Sequence, residues 1–284
     1  MYMYVEVLGF RYEVELHLFS GGEVIVRLPK SLRLVLELAR DYGHQVIVSA
    51  DARDSTMLMQ ALSTVDAVMN MGVPPDQIVL QLPYLPYARQ DRVCNAGEPH
   101  SLRMLGLMLH ALGVRKVVTY DVHSPAAFKY VTGITSIDKR TLLAYSSYGT
   151  NMVEKADALV SPDKGAYQSV FDVAQHFDKP LIKFEKVRDP ESGSITSMRL
   201  VEGSVHVGGK HLLILDDICD GGRTFLELAK LLTDVGSKDY ERPASLSLYT
   251  THGIYSHGIG ELMKFYTSIY TFNNINNVTG VRYI

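Results

Sequence analysis

The sequence is poor in cysteine, in net charge and in long apolar runs, and each shortage removes a class of protein. Two cysteines, Cys94 and Cys219, stand far apart in 284 residues without metal-ligand spacing, which leaves no basis for a disulfide framework or a zinc site. A formal net charge of −3 with no basic patch argues against a nucleic-acid binder that depends on phosphate contacts. No apolar run approaches the ~18 residues of a membrane-spanning helix. The amino terminus MYMYVEVLGFRYEVELHLF has neither the basic start nor the small-residue cleavage site of a signal peptide, so a cytoplasmic location is expected. There is no internal repeat, and the polar tract Asn273–Asn277 reads as a loop. What remains is 46% hydrophobic and 21% charged, the composition of an ordinary globular chain, and at roughly 100–200 residues per domain its length suits two domains.

Short apolar runs read as buried parallel strands: Gln45–Ser49, Gln77–Leu82, Lys116–Tyr120, Ala158–Ser161, Leu181–Phe184, Leu212–Leu215 and Ser245–Tyr249. Between them lie helical periods. Ser55–Met71 ends at Gly72 with Pro74 beyond, Leu102–Leu112 ends at Gly113, and Phe225–Val235 ends at Gly236. Phe19–Glu23 followed by Val24–Arg27 reads as a hairpin turn and an edge strand. The alternation implies an α/β protein of two doubly wound parallel-sheet domains, spanning 1–136 and 137–284. In that architecture ligands collect where the carboxyl ends of strands meet loops.

LLILDDICDGGRT, residues 212–224, places Asp216, Asp217 and Asp220 after an apolar run and before Gly221, Gly222, Arg223 and Thr224. Carboxylates crowded at a strand exit repel one another unless a cation, a sugar or backbone amides absorb the charge. Two glycines let amides turn inward, and a helix starting near Thr224 aims its positive end at the same point. A ribose 5-phosphate suits the whole: its phosphate in the Gly222–Thr224 loop, its ring hydroxyls on Asp216 and Asp217. The plainer reading, an acidic turn with Asp220 as helix cap, requires neither the adjacent aspartates nor both glycines.

The stretch resembles the phosphoribosyl-pyrophosphate fingerprint shared by type I phosphoribosyltransferases and ribose-phosphate pyrophosphokinases. Upstream motifs point to the second family. In PYLPYARQDR, residues 83–92, the segment Arg89-Gln90-Asp91-Arg92 beside tyrosines suits a nucleotide, and YARQDR resembles the family's ATP-binding segment. Asp121-Val122-His123 and Ser161-Pro162-Asp163-Lys164-Gly165 follow in the family's order. The resemblance implies that His123 and Asp163 hold Mg²⁺, directly or through water, with Asp163 also on the ribose-phosphate side. It implies that Lys186 and Arg188 are catalytic residues of a lid whose turn is Pro190–Ser194, and that His123 holds the metal or orients the attacking oxygen. His252 also matches the family and is given a structural role. Phe19 and Glu23 match an adenine-packing loop supplied by a neighbouring subunit, which implies a homo-oligomer.

The implied reaction is Mg²⁺-dependent transfer of the β,γ-diphosphoryl group of ATP to the anomeric hydroxyl of ribose 5-phosphate. Four features depart from the family pattern. Gly21 replaces an acidic or amide residue in the adenine loop, the amino-terminal region is shortened, and Ala96-Gly97-Glu98-Pro99 stands where a regulatory phosphate is usually bound. Arg223 replaces a small residue in the phosphate loop, which suits a second phosphate and hence ADP-ribose as an alternative acceptor for NAD salvage. A phosphoribosyltransferase using no ATP, or a catalytically silent regulatory paralogue, are the remaining alternatives.

Overall fold

The computed structural model describes residues 3–188, 195–201, 207–233 and 242–284. They fall into two compact units, Met1–Ile137 and Asp138–Ile284.

The first unit runs β1 (Met3–Val7), β2 (Phe10–Glu13), β3 (Glu15–Leu18), β4 (Val24–Arg27), α1 (Leu32–Tyr42), β5 (Val46–Ala50), α2 (Ser55–Asn70), β6 (Ile78–Gln81), α3 (Ser101–Leu112), β7 (Lys116–Tyr120), α4 (Ala127–Tyr130) and β8 (Ile134–Ile137). Its six-stranded sheet has the order β2-β1-β5-β6-β7-β8. Strands β5 to β8 pair in parallel, as the apolar runs of β5, β6 and β7 predict; β8, with two polar residues at its centre, is not among the expected strands. The amino-terminal strands are an addition: β1 pairs antiparallel with both β2 and β5. Its buried–partly buried alternation over Met3–Val7 belongs to a strand that buries one face more deeply than the other, unlike the continuous apolar runs of the parallel strands. The hairpin β3–β4 forms its own two-stranded sheet.

Local chemistry sets the helix ends. Asp54 accepts from the Met57 amide at 2.8 Å to open α2, and His100 does the same for Arg103 at 3.1 Å in α3. Gly113 closes α3 in the left-handed region, φ 89°. Inside α3, Gly106 lets the helix lie on backbone: a Cβ there would stand 1.9 Å from the Tyr130 carbonyl oxygen. Gly106→Ala is expected to destabilise the unit despite its better helix propensity. Alanine gains about 1 kcal/mol over glycine in a helix, whereas forcing two backbones apart costs ~3 kcal/mol. The denaturant midpoint should fall; an unchanged midpoint would refute the close-contact argument.

The second unit runs α5 (Lys139–Tyr145), α6 (Ser147–Glu154), β9 (Ala158–Ser161), α7 (Tyr167–His176), β10 (Leu181–Arg188), β11 (Ile195–Leu200), β12 (His211–Cys219), α8 (Arg223–Thr233), β13 (Ser245–Gly253), β14 (Ser268–Asn274) and β15 (Arg282–Tyr283). The sheet order is β11-β10-β9-β12-β13-β14-β15. All pairs are parallel except β10–β11. One core packs Ile214, Leu248 and Ile269 under Phe225, Leu228 and Leu232 of α8. Another packs Leu159, Leu213 and Leu215 against Leu143, Val153 and Val170, so odd and even positions of β12 feed opposite layers. The chain passes from β9 outward to β10 and then returns to place β12 on the other side of β9. That reversal is the topological switch point at which doubly wound sheets bind ligands.

Several boundaries differ from those read off the sequence, two of them at the candidate site. Strand β12 extends to Cys219, so Asp216 and Asp217 lie within it and only Asp220 follows it. The cause is β13, which pairs with β12 as far as Cys219–Gly253, whereas pairing with β9 stops at Ile214–Val160. Helix α8 begins at Arg223, two residues before the expected Phe225. Its expected end at Val235–Gly236 lies outside the described residues, as does the expected lid turn Pro190–Ser194. Among the described residues no helix is long and apolar enough to cross a membrane. Cys94 is exposed, Cys219 is buried, and both are free.

Candidate active site

The switch point gathers the second unit's polar motifs. Because Val160 is in register with Ile214, the loop after Ser161 leaves the sheet beside the stretch of β12 that carries Asp216 and Asp217. That loop is held from within. Ser161 Oγ donates to the Asp163 carbonyl at 3.0 Å, and the Ala166 amide donates to Asp163 Oδ1 at 3.0 Å. On β12, the Asp217 amide donates to Asp216 Oδ1 at 2.9 Å and the Ile218 amide to Asp217 Oδ1 at 2.8 Å. Each carboxylate is thereby tied to the amide of the residue that follows it.

Beyond β12, Gly222 takes φ +78° and packs under Leu262, whose Cδ1 would lie 3.3 Å from a Cβ at this position. A side chain larger than hydrogen would therefore meet both backbone strain and a wall. Gly221 is bordered by His257, whose Nδ1 would stand 3.3 Å from a Cβ there. The turn carrying His257 is tied to the same loop by the Tyr255 amide on the Cys219 carbonyl at 3.0 Å and the Ser256 amide on the Asp220 carbonyl at 3.2 Å. Thr224 lies in the first turn of α8, and Arg223 is exposed at its start. The loop from Asp220 to Thr224 thus has the form of an anion cradle at a helix amino terminus.

The shelf is electrostatically crowded. Enclosure of its carboxyl end raises the pKa of Asp216 well above the usual aspartate range; Asp217 and, to a lesser degree, Asp163 push the same way, and Lys139 opposes them. The buried Cys219 thiol beneath is also pushed up, chiefly by desolvation. Such a cluster favours hydroxyl donors or a cation. Among the described residues no group of three or more His, Cys, Asp and Glu side chains is placed to hold a metal ion by itself.

In the first unit the expected nucleotide segment leaves β6 beside the end of β7. The Tyr120 amide and Thr119 Oγ1 donate to the Pro83 carbonyl at 3.1 and 3.3 Å. Ser124 Oγ donates to Asp91 Oδ2 at 2.7 Å, and Tyr87 Oη meets Ser55 Oγ at 2.9 Å. The loops after β5, β6 and β7 are thus stitched together. Asp91 is partly buried in this stitching, while Arg89, Gln90, Arg92 and His123 are exposed. Asp121, buried before His123, takes φ 41°, a left-handed conformation typical of strained functional turns.

Phe19, 57% exposed, and Glu23 stand at the tip of the β3–β4 hairpin, in a separate sheet from the one that carries residues 83–92. The tip is closed by the Phe19 amide on the Glu23 carbonyl and the Gly22 amide on the Phe19 carbonyl, both 2.8 Å. Glu98, in the stretch that departs from the regulatory pattern, organises its own turn. Its carboxylate accepts from the Cys94 and Asn95 amides at 3.1 and 2.9 Å and from Asn95 Nδ2 at 2.6 Å. The Asn95 contacts hold its pKa below the ordinary value.

The backbones of Lys186 and Arg188 lie on β10 in an antiparallel ribbon with β11, Lys186 opposite Met198; their side chains lie outside the described residues. Lys139 and His257 were not singled out by sequence. A lysine after a helix cap and a histidine in a glycine-rich turn carry no local signal, because their neighbours come from distant strands.

Comparison with known proteins settles the family. The description "Phosphoribosyl transferase domain" matches residues 135–282, and "N-terminal domain of ribose phosphate pyrophosphokinase" matches residues 8–113. A ribose-phosphate pyrophosphokinase of Pyrococcus abyssi is 32% identical over 245 residues, covering 86% of this chain and 78% of the relative. The chain belongs to the ribose-phosphate pyrophosphokinase family. It is therefore an enzyme of diphosphotransferase type. The Aquifex aeolicus member is 31% identical over 242 residues, 84% of this chain and 70% of the relative. The crystal structure of phosphoribosylpyrophosphate synthetase from Mycobacterium smegmatis matches with a TM-score of 0.73 and 22% identity, covering 96% of this chain and 86% of that one. That likeness shows the fold, of the type I phosphoribosyltransferase kind.

Proposed function

We propose that the enzyme transfers the β,γ-diphosphoryl group of ATP to the anomeric hydroxyl of ribose 5-phosphate, giving phosphoribosyl pyrophosphate and AMP. One observation carries the sugar half: Asp163, Asp216, Asp217 and the Asp220–Thr224 cradle converge on the switch point of one sheet. The ring hydroxyls donate to Asp216 and Asp217, and the 5-phosphate takes the amides around Asp220, Gly221, Gly222 and Thr224 together with the Arg223 guanidinium. ATP is assigned to Arg89, Gln90, Asp91 and Arg92, with Phe19 stacking on adenine and Glu23 accepting from it. In the homo-oligomer we assign to the chain, that hairpin comes from a neighbouring subunit.

The anomeric oxygen attacks the β-phosphorus in line, its proton is lost, and AMP leaves as the bond from the β-phosphorus to the α-phosphate oxygen breaks. Such a reaction depends on positioning and on neutralising oxygens that gain charge. Lys186 and Arg188 are assigned the cationic role, and His123 orients the nucleophile. Oxygen and imidazole donors suit Mg²⁺, because this ion binds through one or two side chains and completes its shell with water and substrate phosphates. His123 and Asp163 are the residues we assign to it, and when bound it neutralises phosphate charge and brings the reactants together.

A second acceptor, ADP-ribose, is favoured by one feature: Arg223 is exposed at the mouth of the cradle, where a second phosphate would lie. Incubation with Mg²⁺-ATP and either ribose 5-phosphate or ADP-ribose should release AMP in step with the sugar diphosphate. The better acceptor identifies the substrate, and no AMP with either would overturn the reading.

A further inference from the structure

Lys139 is 1% exposed, although it opens helix α5 immediately after the cap Asp138, whose Oδ1 accepts from the Thr141 amide at 2.7 Å. Two penalties fall on that placement. A buried ammonium loses its water, and a cation at a helix amino terminus opposes the helix dipole. A fold tolerates both only where fixed anions and acceptors surround the charge. One acceptor is Ser169 of α7, whose Oγ lies 3.1 Å from Lys139 Nζ and itself donates to the Ala166 carbonyl at 3.0 Å. Ala166 in turn donates its amide to Asp163 Oδ1 at 3.0 Å, so the lysine is connected to the Ser161–Gly165 loop by a chain of hydrogen bonds. On the β12 side its charge attracts Asp216, against the repulsion of Asp217 and Asp163.

We propose that Lys139 is a positioning residue of the sugar site: a built-in counter-charge that holds the β12 acidic pair and the Asp163 loop together around the ribose hydroxyls. The inference rests on the reading of that site as the ribose 5-phosphate site. Lys139 touches no reacting atom. It acts through Asp216 and, by way of Ser169, through Asp163.

The test uses the full chain and four proteins: the wild type, Lys139→Met, Asp216→Asn and the double variant. Lys139→Met should raise KM for ribose 5-phosphate about tenfold, as expected for loss of a partly desolvated charge contact, and leave KM for ATP within about twofold. Thermal midpoints, read without substrate, should be non-additive. Lys139→Met loses stability, and removing the Asp216 charge as well restores much of it, because the repulsion that the lysine opposed is gone. If Lys139→Met does not fold, recovery of folding in the double variant supports the same conclusion. Equal rises in both KM values, additive thermal losses, or failure of both Lys139 variants to fold would make Lys139 a core residue and overturn the proposal. The thermal arm needs no turnover, so its result separates failure of this inference from failure of the proposed reaction.

Discussion

Lys186→Ala combined with Arg188→Ala is expected to slow AMP release by more than a hundredfold, with affinity for ribose 5-phosphate within about twofold of the wild type. Phosphoryl transfer sets the size of the effect: if two cations together supply even ~3 kcal/mol of transition-state stabilisation, their loss costs more than two orders of magnitude in rate. Their location makes the effect separable from folding. Strand β10 pairs with β9 only over Leu181–Lys183; from Phe184 onward its partner is β11. Both residues therefore lie on a two-stranded ribbon beyond the β9 pairing, past the buried Ile182 and Phe184. The ribose site we propose lies on β12 and the loops after β9 and β12, so binding of the sugar should survive. Steady-state kinetics with an independent binding measurement for ribose 5-phosphate would check both halves. A double variant retaining a tenth of wild-type turnover, or one that loses sugar affinity in parallel with rate, would remove the lid pair from the chemistry.

Those parallel strands that burial on both faces leaves as continuous apolar runs were legible in the sequence, and Lys116–Tyr120 and Ala158–Ser161 agree to the residue; β8, β14 and β15, which mix in polar residues, were not. The amino-terminal strands were not, since Met3–Val7 and Phe10–Glu13 mix apolar and polar residues in a way that a surface hairpin also shows. The carboxyl end of β12 was misread for a physical reason: a strand is recognised by apolar residues, and Asp216 and Asp217 are held in strand geometry by backbone pairing to β13. The same limit hid Lys139. Its significance comes from Asp216, Ser169 and the loop at Asp163, which tertiary packing brings together and no sequence window contains. Motifs stand out where several unusual residues fall in a row, as at Asp216–Thr224. Single residues that act through distant neighbours were invisible.

Asp216→Asn should leave the protein more stable and much less active, and the opposition of the two effects is what identifies a functional carboxylate. Enclosure and the neighbouring Asp217 raise the Asp216 pKa well above its ordinary value even with Lys139 in attendance, so the folded state disfavours the ionised form. Below the unfolded value, about pH 4, the group is neutral in both states and costs nothing. As pH rises from there through the elevated folded value, the unfolded chain ionises first and the wild type loses stability. Asparagine removes this loss, so the variant's advantage in Tm should be small near pH 4 and grow toward pH 7.5. Activity should move the other way. An amide in place of a carboxylate loses the charge-assisted bond to a sugar hydroxyl, which at ~1.5–3 kcal/mol corresponds to a drop in kcat/KM of roughly ten- to hundredfold. Paired melting curves across that pH range, with kcat/KM for ribose 5-phosphate on the same samples, decide the matter. If the variant melts lower than the wild type at pH 7.5, Asp216 is a structural acceptor, and the assignment of the acidic pair to the sugar hydroxyls fails with it.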